Sequence, residues 1–118
     1  MNLGRFPRLR FGHLPTPFEY LENLTRELDG PEIWIKRDDM TGLAFGGNKV
    51  REFEYSVAPA LDQGCDVLLH GSSSPSNQSR LTAATAARLG LKAVMVGRRD
   101  AHAEPVNGNL LLTTLFGA

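Results

Sequence analysis

The stretch GLAFGGNK, residues 42–49, places a lysine at the end of a glycine-rich loop. A primary amine in such a place can hold a phosphate group or bond covalently to a carbonyl carbon. Gly42 and Gly47 have the separation of a P-loop, but Lys49 comes one residue late and Val50 stands where Ser or Thr would hold magnesium. The pattern therefore disfavours a P-loop.

Two interpretations of Lys49 remain open on spacing alone. The glycines can simply form a tight turn that leaves Lys49 solvated in the first turn of a helix. A cation is mildly unfavourable in that turn because of the helix dipole, so a lysine that a covalent bond neutralises is better tolerated.

The stretch HGSSSPSNQSR, residues 70–80, is the second candidate. The sequence predicts a strand that ends at His70, a serine-rich loop and a helix that begins near Ser76. Ligands of open α/β sheets bind outside the carboxyl ends of strands, where helix N-termini supply free N–H groups. Ser76, Asn77 and Gln78 would add neutral hydrogen bonds to a ligand there. Alternatively, Ser76 is only the N-cap of the helix.

The KRDD run and Cys65 are weaker candidates for catalytic residues. Asp38 and Asp39, in the run KRDD at residues 36–39, could act as an acid–base pair, but a charge run at a strand end favours an ion-paired turn. Cys65 comes directly before a predicted strand and is interpreted as a small buried hydrophobe and not as a nucleophile.

The three histidines, His13, His70 and His102, lack the spacing of metal ligands, so no metal site is predicted. His70, which leads into the serine-rich loop, is the histidine best placed to contribute to a site.

The elements that must position these side chains alternate along the chain. Apolar spacing predicts helices at residues 16–28, 48–63, 76–89 and 107–116, and strands at residues 32–36, 66–70 and 92–96. The first helix opens at Thr16, with Pro17 at its first position and Glu19 completing a capping box. Pro59 should kink or end the second helix. The order predicts an α/β fold, a partial doubly wound parallel sheet with helices on both faces.

Composition restricts the function classes. The chain has 118 residues, 42% of them hydrophobic, and a formal net charge of zero, so neither nucleic acid nor a membrane surface is an expected partner. It contains no stretch of the length of a membrane span, and its single cysteine fits a cytoplasmic protein. The last predicted helix is not followed by the strand that an α/β chain needs, so we expect a piece of a longer protein.

Four motifs together resemble a known family. LPTP (residues 14–17), IKRDDMTGLAFGGNKVRE (residues 35–52), SNQSR (residues 76–80) and NGNLLL (residues 107–112) are similar to the N-terminal third of D-cysteine desulfhydrases and 1-aminocyclopropane-1-carboxylate deaminases. These are pyridoxal 5'-phosphate enzymes with a tryptophan synthase β-like fold. The resemblance runs from about Arg5 to Ala118 and implies that residues 1–118 form the N-terminal portion of such an enzyme, with the C-terminal remainder absent.

The resemblance implies a role for each site residue. Lys49 would be the Schiff-base lysine, with the glycines letting the backbone lie close to the cofactor, and Asn48 would shape the site. Asn77 would bond the phenolic oxygen of the cofactor. Ser76 would lie near the substrate carboxylate and assist proton transfer or nucleophilic steps, and Gln78 matches the deaminase-like version of the motif.

The implied reaction removes a group from a small amino acid. D-Cysteine would give pyruvate, sulfide and ammonia, whereas 1-aminocyclopropane-1-carboxylate would give 2-oxobutanoate and ammonia. The resemblance also implies a homodimer for the full-length protein. A serine/threonine dehydratase-like or cysteine synthase-like enzyme is a more distant alternative, and an inactive α/β fragment that folds with a partner is another.

The sequence departs from the family pattern at two places. Glu52 replaces a second lysine that helps to hold the phosphate, and its charge would repel a phosphate if it pointed inward. Ser73, Ser74 and Pro75 replace the usual Gly-x-Gln before the SN pair. Because the family's glycine-rich phosphate loop would lie beyond residue 118, we expect the isolated chain to bind the cofactor poorly and to be inactive.

Overall fold

The computed structural model describes residues 2–72, 76–97 and 106–118. The strands are β1 (Phe18–Tyr20), β2 (Trp34–Lys36), β3 (Val67–Ser72) and β4 (Lys92–Gly97), and the helices are α1 (Glu22–Leu28), α2 (Lys49–Asp62), α3 (Asn77–Leu89) and α4 (Gly108–Leu115). Short 3-10 turns lie at Leu3–Arg5, Asp38–Thr41 and Leu43–Phe45.

The first predicted helix is wrong in its N-terminal part, which forms β1. This strand pairs antiparallel with β2, and Tyr20 lies opposite Trp34. Phe18 and Tyr20 share one face of the strand, and each ring has its centroid 5.2 Å from that of Trp34. This cross-strand aromatic packing outweighs the helical spacing of the apolar residues, and α1 begins only at Glu22.

The predicted capping box is wrong for the same reason. The Thr16 hydroxyl donates to a carboxylate oxygen of Asp38 at 3.0 Å and caps no helix. Glu19 lies within β1 and forms an ion pair with Arg37 at 3.1 Å.

The strands β3 and β4 form a parallel pair, and the helix that joins them, α3, packs against both. The predicted α/β fold with a parallel sheet is therefore confirmed. The predicted strand at residues 32–36 does not join this pair, because its residues 34–36 pair with β1. In the described part of the chain, α3 covers one face of the pair, while Leu69 and Val96 on the other face are 69% and 58% exposed.

The core lies between α2 and α3. Val50, Phe53 and Val57 line one face of α2 and pack with Leu81 of α3 and with Phe11, all at most 7% exposed. The predicted spacing of this helix is confirmed, but Pro59 does not end it, because α2 continues to Asp62.

Other predictions have mixed outcomes. Cys65 is exposed, so its interpretation as a buried hydrophobe is wrong; it lies between the end of α2 and the start of β3.

His102 and the segments 73–75 and 98–105 lie outside the described residues. Among the helices of the described residues, none has the length and hydrophobicity needed to cross a bilayer.

Candidate active site

The loop at residues 42–47 has a positive φ at each of its three glycines, a backbone that only glycine adopts without strain. Gly46 has a φ of +73°, and a Cβ there would collide with the carbonyl oxygen of Asp39. Gly42 has a φ of +90°, and a Cβ there would lie 2.7 Å from Nδ1 of His13. These glycines are thus required by the packing of the loop itself, in addition to the close cofactor approach that the resemblance implies.

Thr41 fixes the end of this loop from inside. Its hydroxyl is fully buried, accepts the N–H of Gly47 at 2.9 Å, and lies within donating distance of the carbonyl oxygens of Gly47 (2.9 Å) and Asp38 (3.0 Å). The Gly47 N–H also reaches the Asp38 carbonyl at 2.9 Å. The backbone is therefore held just before Asn48 and Lys49.

The KRDD run forms ion pairs. The guanidinium of Arg51 donates to both carboxylate oxygens of Asp38 at 2.8 and 2.9 Å, and these bonds, with that from Thr16, hold the pKa of Asp38 below its usual value. Asp39 is bound by Arg37 at 2.8 Å, which lowers its pKa as well. Both carboxylates therefore stabilise the loop as charged partners, in line with an ion-paired turn.

Lys49 is the first residue of α2, and its amine is linked to the N-terminus of α3 through Glu52. Its Nζ is 2.8 Å from Oε2 of Glu52, and the other oxygen of Glu52 is 3.4 Å from Nε2 of Gln78. Glu52 thus turns towards Lys49 and connects the two helices. Asn48 occupies the N-cap position of α2, but its side chain makes no capping bond.

The other predicted site residues lie at the start of α3. The Ser76 hydroxyl accepts the N–H of Gln78 at 3.1 Å, so Ser76 is the N-cap of this helix. Oδ1 of Asn77 accepts a hydrogen bond from Nδ2 of Asn109 in α4 at 2.9 Å. The structure therefore brings Ser76, Asn77 and Gln78 together and joins them to Lys49 through Glu52.

Sequence reasoning missed two residues of this region. Asn109 lies in the motif NGNLLL, and Arg80 lies in SNQSR, but neither spacing nor residue type indicated a role. Arg80 is 8% exposed and donates to the carbonyl oxygen of Gly46 at 2.8 Å.

His70 lies in a groove between α2, β3 and α3. The groove has a volume of about 230 Å³ and is lined mostly by apolar side chains, such as Val57 and Leu68, together with polar ones that include Gln78. Within the described residues, Nε2 of His70 is buried without a hydrogen-bond partner. Gln78 borders the groove and also contacts Glu52, the partner of Lys49.

The donor set fits pyridoxal phosphate. Lys49 supplies an amine whose side chain is 36% exposed, and its partner Glu52 is 45% exposed, so solvent and a ligand reach the pair. The hydroxyl and amide groups at the start of α3 supply neutral hydrogen bonds next to free helix N–H groups. The described ranges contain no group of three His, Cys, Asp or Glu side chains that could hold a metal ion.

Comparisons with known proteins agree with this chemistry. A family model described as pyridoxal-phosphate dependent enzyme matches residues 9–118. The D-cysteine desulfhydrases of Salmonella typhimurium and Klebsiella pneumoniae subsp. pneumoniae are 49% and 50% identical to the chain over 98% of its length. A solved structure of an ACC deaminase homologue is 41% identical and superposes with a TM-score of 0.88 over 98% of the chain and 34% of its own. The chain spans 36% of the length of each of these two curated relatives.

Proposed function

Because the chain belongs to the family of pyridoxal-phosphate-dependent enzymes, we propose that residues 1–118 are the N-terminal portion of a D-cysteine desulfhydrase and carry its cofactor lysine, Lys49. The whole enzyme would convert D-cysteine and water to pyruvate, hydrogen sulfide and ammonia. The names of the two desulfhydrases that are 49% and 50% identical to the chain support this substrate.

One observation carries the proposal. The amine of Lys49 lies 2.8 Å from Glu52, whose other oxygen contacts Gln78 at 3.4 Å, so Glu52 links this amine to the polar N-terminus of α3. An aldehyde bound to this amine would lie close to hydrogen-bond donors at a helix N-terminus, which suit an amino acid carboxylate.

The residues of this chain have distinct roles in the proposed reaction. Pyridoxal phosphate, when bound, would supply an electron sink for the negative charge that develops at the substrate α-carbon. Lys49 would hold the cofactor through Nζ and would move a proton at that carbon. The ion pair with Glu52 must open and Nζ must lose a proton before the amine can bond to a carbonyl carbon, so Glu52 competes with the cofactor.

The start of α3 would bind the substrate and the cofactor ring. Its free N–H groups and positive potential favour the substrate carboxylate. Ser76 would donate its hydroxyl proton there, and Gln78 would add an amide. Asn77 would bond the phenolic oxygen of the cofactor through Nδ2, because its Oδ1 is engaged by Asn109.

Deaminase activity is the second candidate. The ACC deaminase homologue that shares 41% identity and Gln78 in the SNQ motif both favour 1-aminocyclopropane-1-carboxylate. The two substrates give different products, so one pair of assays separates them.

The test joins this chain to the part of the Salmonella relative that it does not match. We expect sulfide release from D-cysteine that exceeds 2-oxobutanoate release from the cyclopropane substrate, and loss of both in Lys49→Ala. Borohydride reduction with pyridoxal phosphate should label Lys49 in preference to Lys36 and Lys92, the other lysines of the chain. Unchanged turnover in Lys49→Ala would refute the proposal, and residues 1–118 alone should show no turnover.

We also propose a cytoplasmic homodimer for the whole enzyme. An exposed free Cys65 is typical of a reducing compartment. Sedimentation of the joined polypeptide should give the mass of two copies, and a monomer would contradict the dimer.

A further inference from the structure

Arg80 is a buried cation without an acidic partner in the described parts of the chain. It is 8% exposed, it lies in the first turns of α3, and none of the ion pairs of the described residues includes it. Burial lowers the pKa of its guanidinium, and the N-terminal end of a helix dipole is also unfavourable for a cation. Burying a cation here is unfavourable in free energy, and a specific interaction is needed to offset part of that cost.

The interaction that Arg80 makes is with the loop before Lys49. One of its terminal nitrogens donates to the carbonyl oxygen of Gly46 at 2.8 Å, and this hydrogen bond is buried. A hydrogen bond from a charged donor is stronger than a neutral one, and low exposure strengthens it further.

The loop needs an external support. Ala44 and Phe45 have φ values of +45° and +69°, a left-handed backbone that residues with a side chain adopt only at a cost in energy. Such strain persists where surrounding contacts fix the backbone. Thr41 and Asp38 provide contacts from within the same segment, whereas Arg80 reaches the loop from α3.

Arg80 therefore joins two halves of the candidate site. Its helix begins with Ser76, Asn77 and Gln78, and its guanidinium holds Gly46, three residues before Lys49. Another polar link between these halves, among the described residues, is the contact of Gln78 with Glu52, which is longer, at 3.4 Å, and exposed.

We propose that Arg80 is a positioning residue that fixes the backbone of the lysine loop against α3 through the Gly46 carbonyl, and thereby sets where the Lys49 amine lies. The role of Lys49 in this inference rests on the proposed function, whereas the fixation of the loop by Arg80 is independent of it.

The test compares Arg80→Met, Arg80→Lys and the control Arg88→Met in residues 1–118. Arg88 is on the same helix and also donates to backbone carbonyls, those of Phe11 and Arg10 at 3.2 and 3.3 Å, away from the loop. We expect Arg80→Met to speed hydrogen exchange in residues 46–50 by about tenfold relative to Arg88→Met, the effect of losing a charged hydrogen bond. Arg80→Lys should restore part of the protection.

A second measurement follows reductive labelling by pyridoxal phosphate and borohydride of the same variants in the joined enzyme. Labelling of Lys49 relative to Lys92 should fall in Arg80→Met and recover partly in Arg80→Lys. Equal exchange of residues 46–50 in Arg80→Met and Arg88→Met would overturn the inference. If Arg80→Met does not fold, exchange of residues 46–50 in a folded Arg80→Lys that is no faster than in Arg88→Met would overturn it equally. If the unsubstituted joined enzyme shows no preference for Lys49, the proposed function fails, and hydrogen exchange alone decides the role of Arg80.

Discussion

At the residue scale, Ser76 has a structural role that is compatible with a chemical one. Its hydroxyl oxygen accepts the N–H of Gln78, as an N-cap does. A hydroxyl that accepts one hydrogen bond still has its own proton to donate. The two interpretations that the sequence left open are therefore not exclusive, and substitutions that preserve one role and remove the other can separate them.

Ser76→Ala and Ser76→Asp form that pair of substitutions. Ser76→Ala removes the cap and should lower the free energy of unfolding by about 1 kcal/mol. Ser76→Asp keeps a capping oxygen and places a negative charge at the helix N-terminus, so stability should change little. Urea unfolding of residues 1–118 measures both effects. In the joined enzyme both variants should lose sulfide release; full activity of Ser76→Asp would show that the cap alone matters.

At the element scale, α2 holds the N-terminal segment through one buried carboxylate. Glu54 is 1% exposed and accepts the backbone N–H groups of Phe11 and Gly12 at 2.9 and 2.8 Å. Nε of Arg8 donates to its other oxygen at 2.7 Å. Residues 8–12 have no regular secondary structure, so these bonds, together with Phe11 in the core, define their path.

This carboxylate should make the fold sensitive to acid. Burial alone would raise the pKa of Glu54, but the N–H groups of Gly12 and Phe11 and the Arg8 guanidinium outweigh it, and the pKa is lowered from 4.5. A lowered pKa in the folded state gives stability that is present above pH 4.5 and lost as the pH falls through the folded value.

Glu54→Gln tests the linkage. The amide cannot accept all of these bonds, so the variant should be less stable by about 2 kcal/mol at neutral pH. It should also lose less stability than the unsubstituted chain on acidification. Urea unfolding across the acid range measures both effects. The control is Glu52→Gln, because Glu52 is exposed and lies in the same helix. Parallel pH profiles for Glu54→Gln and the unsubstituted chain would contradict the role of Glu54.

At the scale of the whole molecule, one face of the β3–β4 pair stands out. Val67, Leu69, Val94 and Val96 point away from α3 and are between 37% and 69% exposed. Parallel sheets are normally covered on both faces, and an uncovered apolar face favours association. Residues 1–118, studied alone, should therefore self-associate.

Replacing Leu69 and Val96 together by lysine should reduce this association. The expected result is a lower sedimentation coefficient at equal protein concentration, with an unchanged far-ultraviolet circular dichroism spectrum. Leu28→Lys is the control, because Leu28 is 60% exposed but lies on α1, away from this face. If the control reduces association as much as the double substitution, the face of the sheet is not responsible.

The sequence by itself determined the features that depend on neighbouring residues. The helix α3 was predicted nearly to the residue, because Ser76 caps its start and Gly90 ends it with a φ of +71°, and both are local effects. The Lys49 loop was singled out by its glycines, and the local motifs were sufficient to indicate the family that the comparisons then established.

Only the tertiary structure decided what depends on distant partners. Thr16 and Tyr20 lie outside any helix because Asp38 and Trp34 bind them across a loop. No sequence pattern indicated the roles of Arg80 and Glu54, because their hydrogen-bond partners are distant in the chain. Gly46 lies 34 residues from Arg80, and Phe11 lies 43 residues from Glu54. Hydrogen bonds of buried charges form where the fold brings groups together, and no periodicity in the chain encodes that proximity.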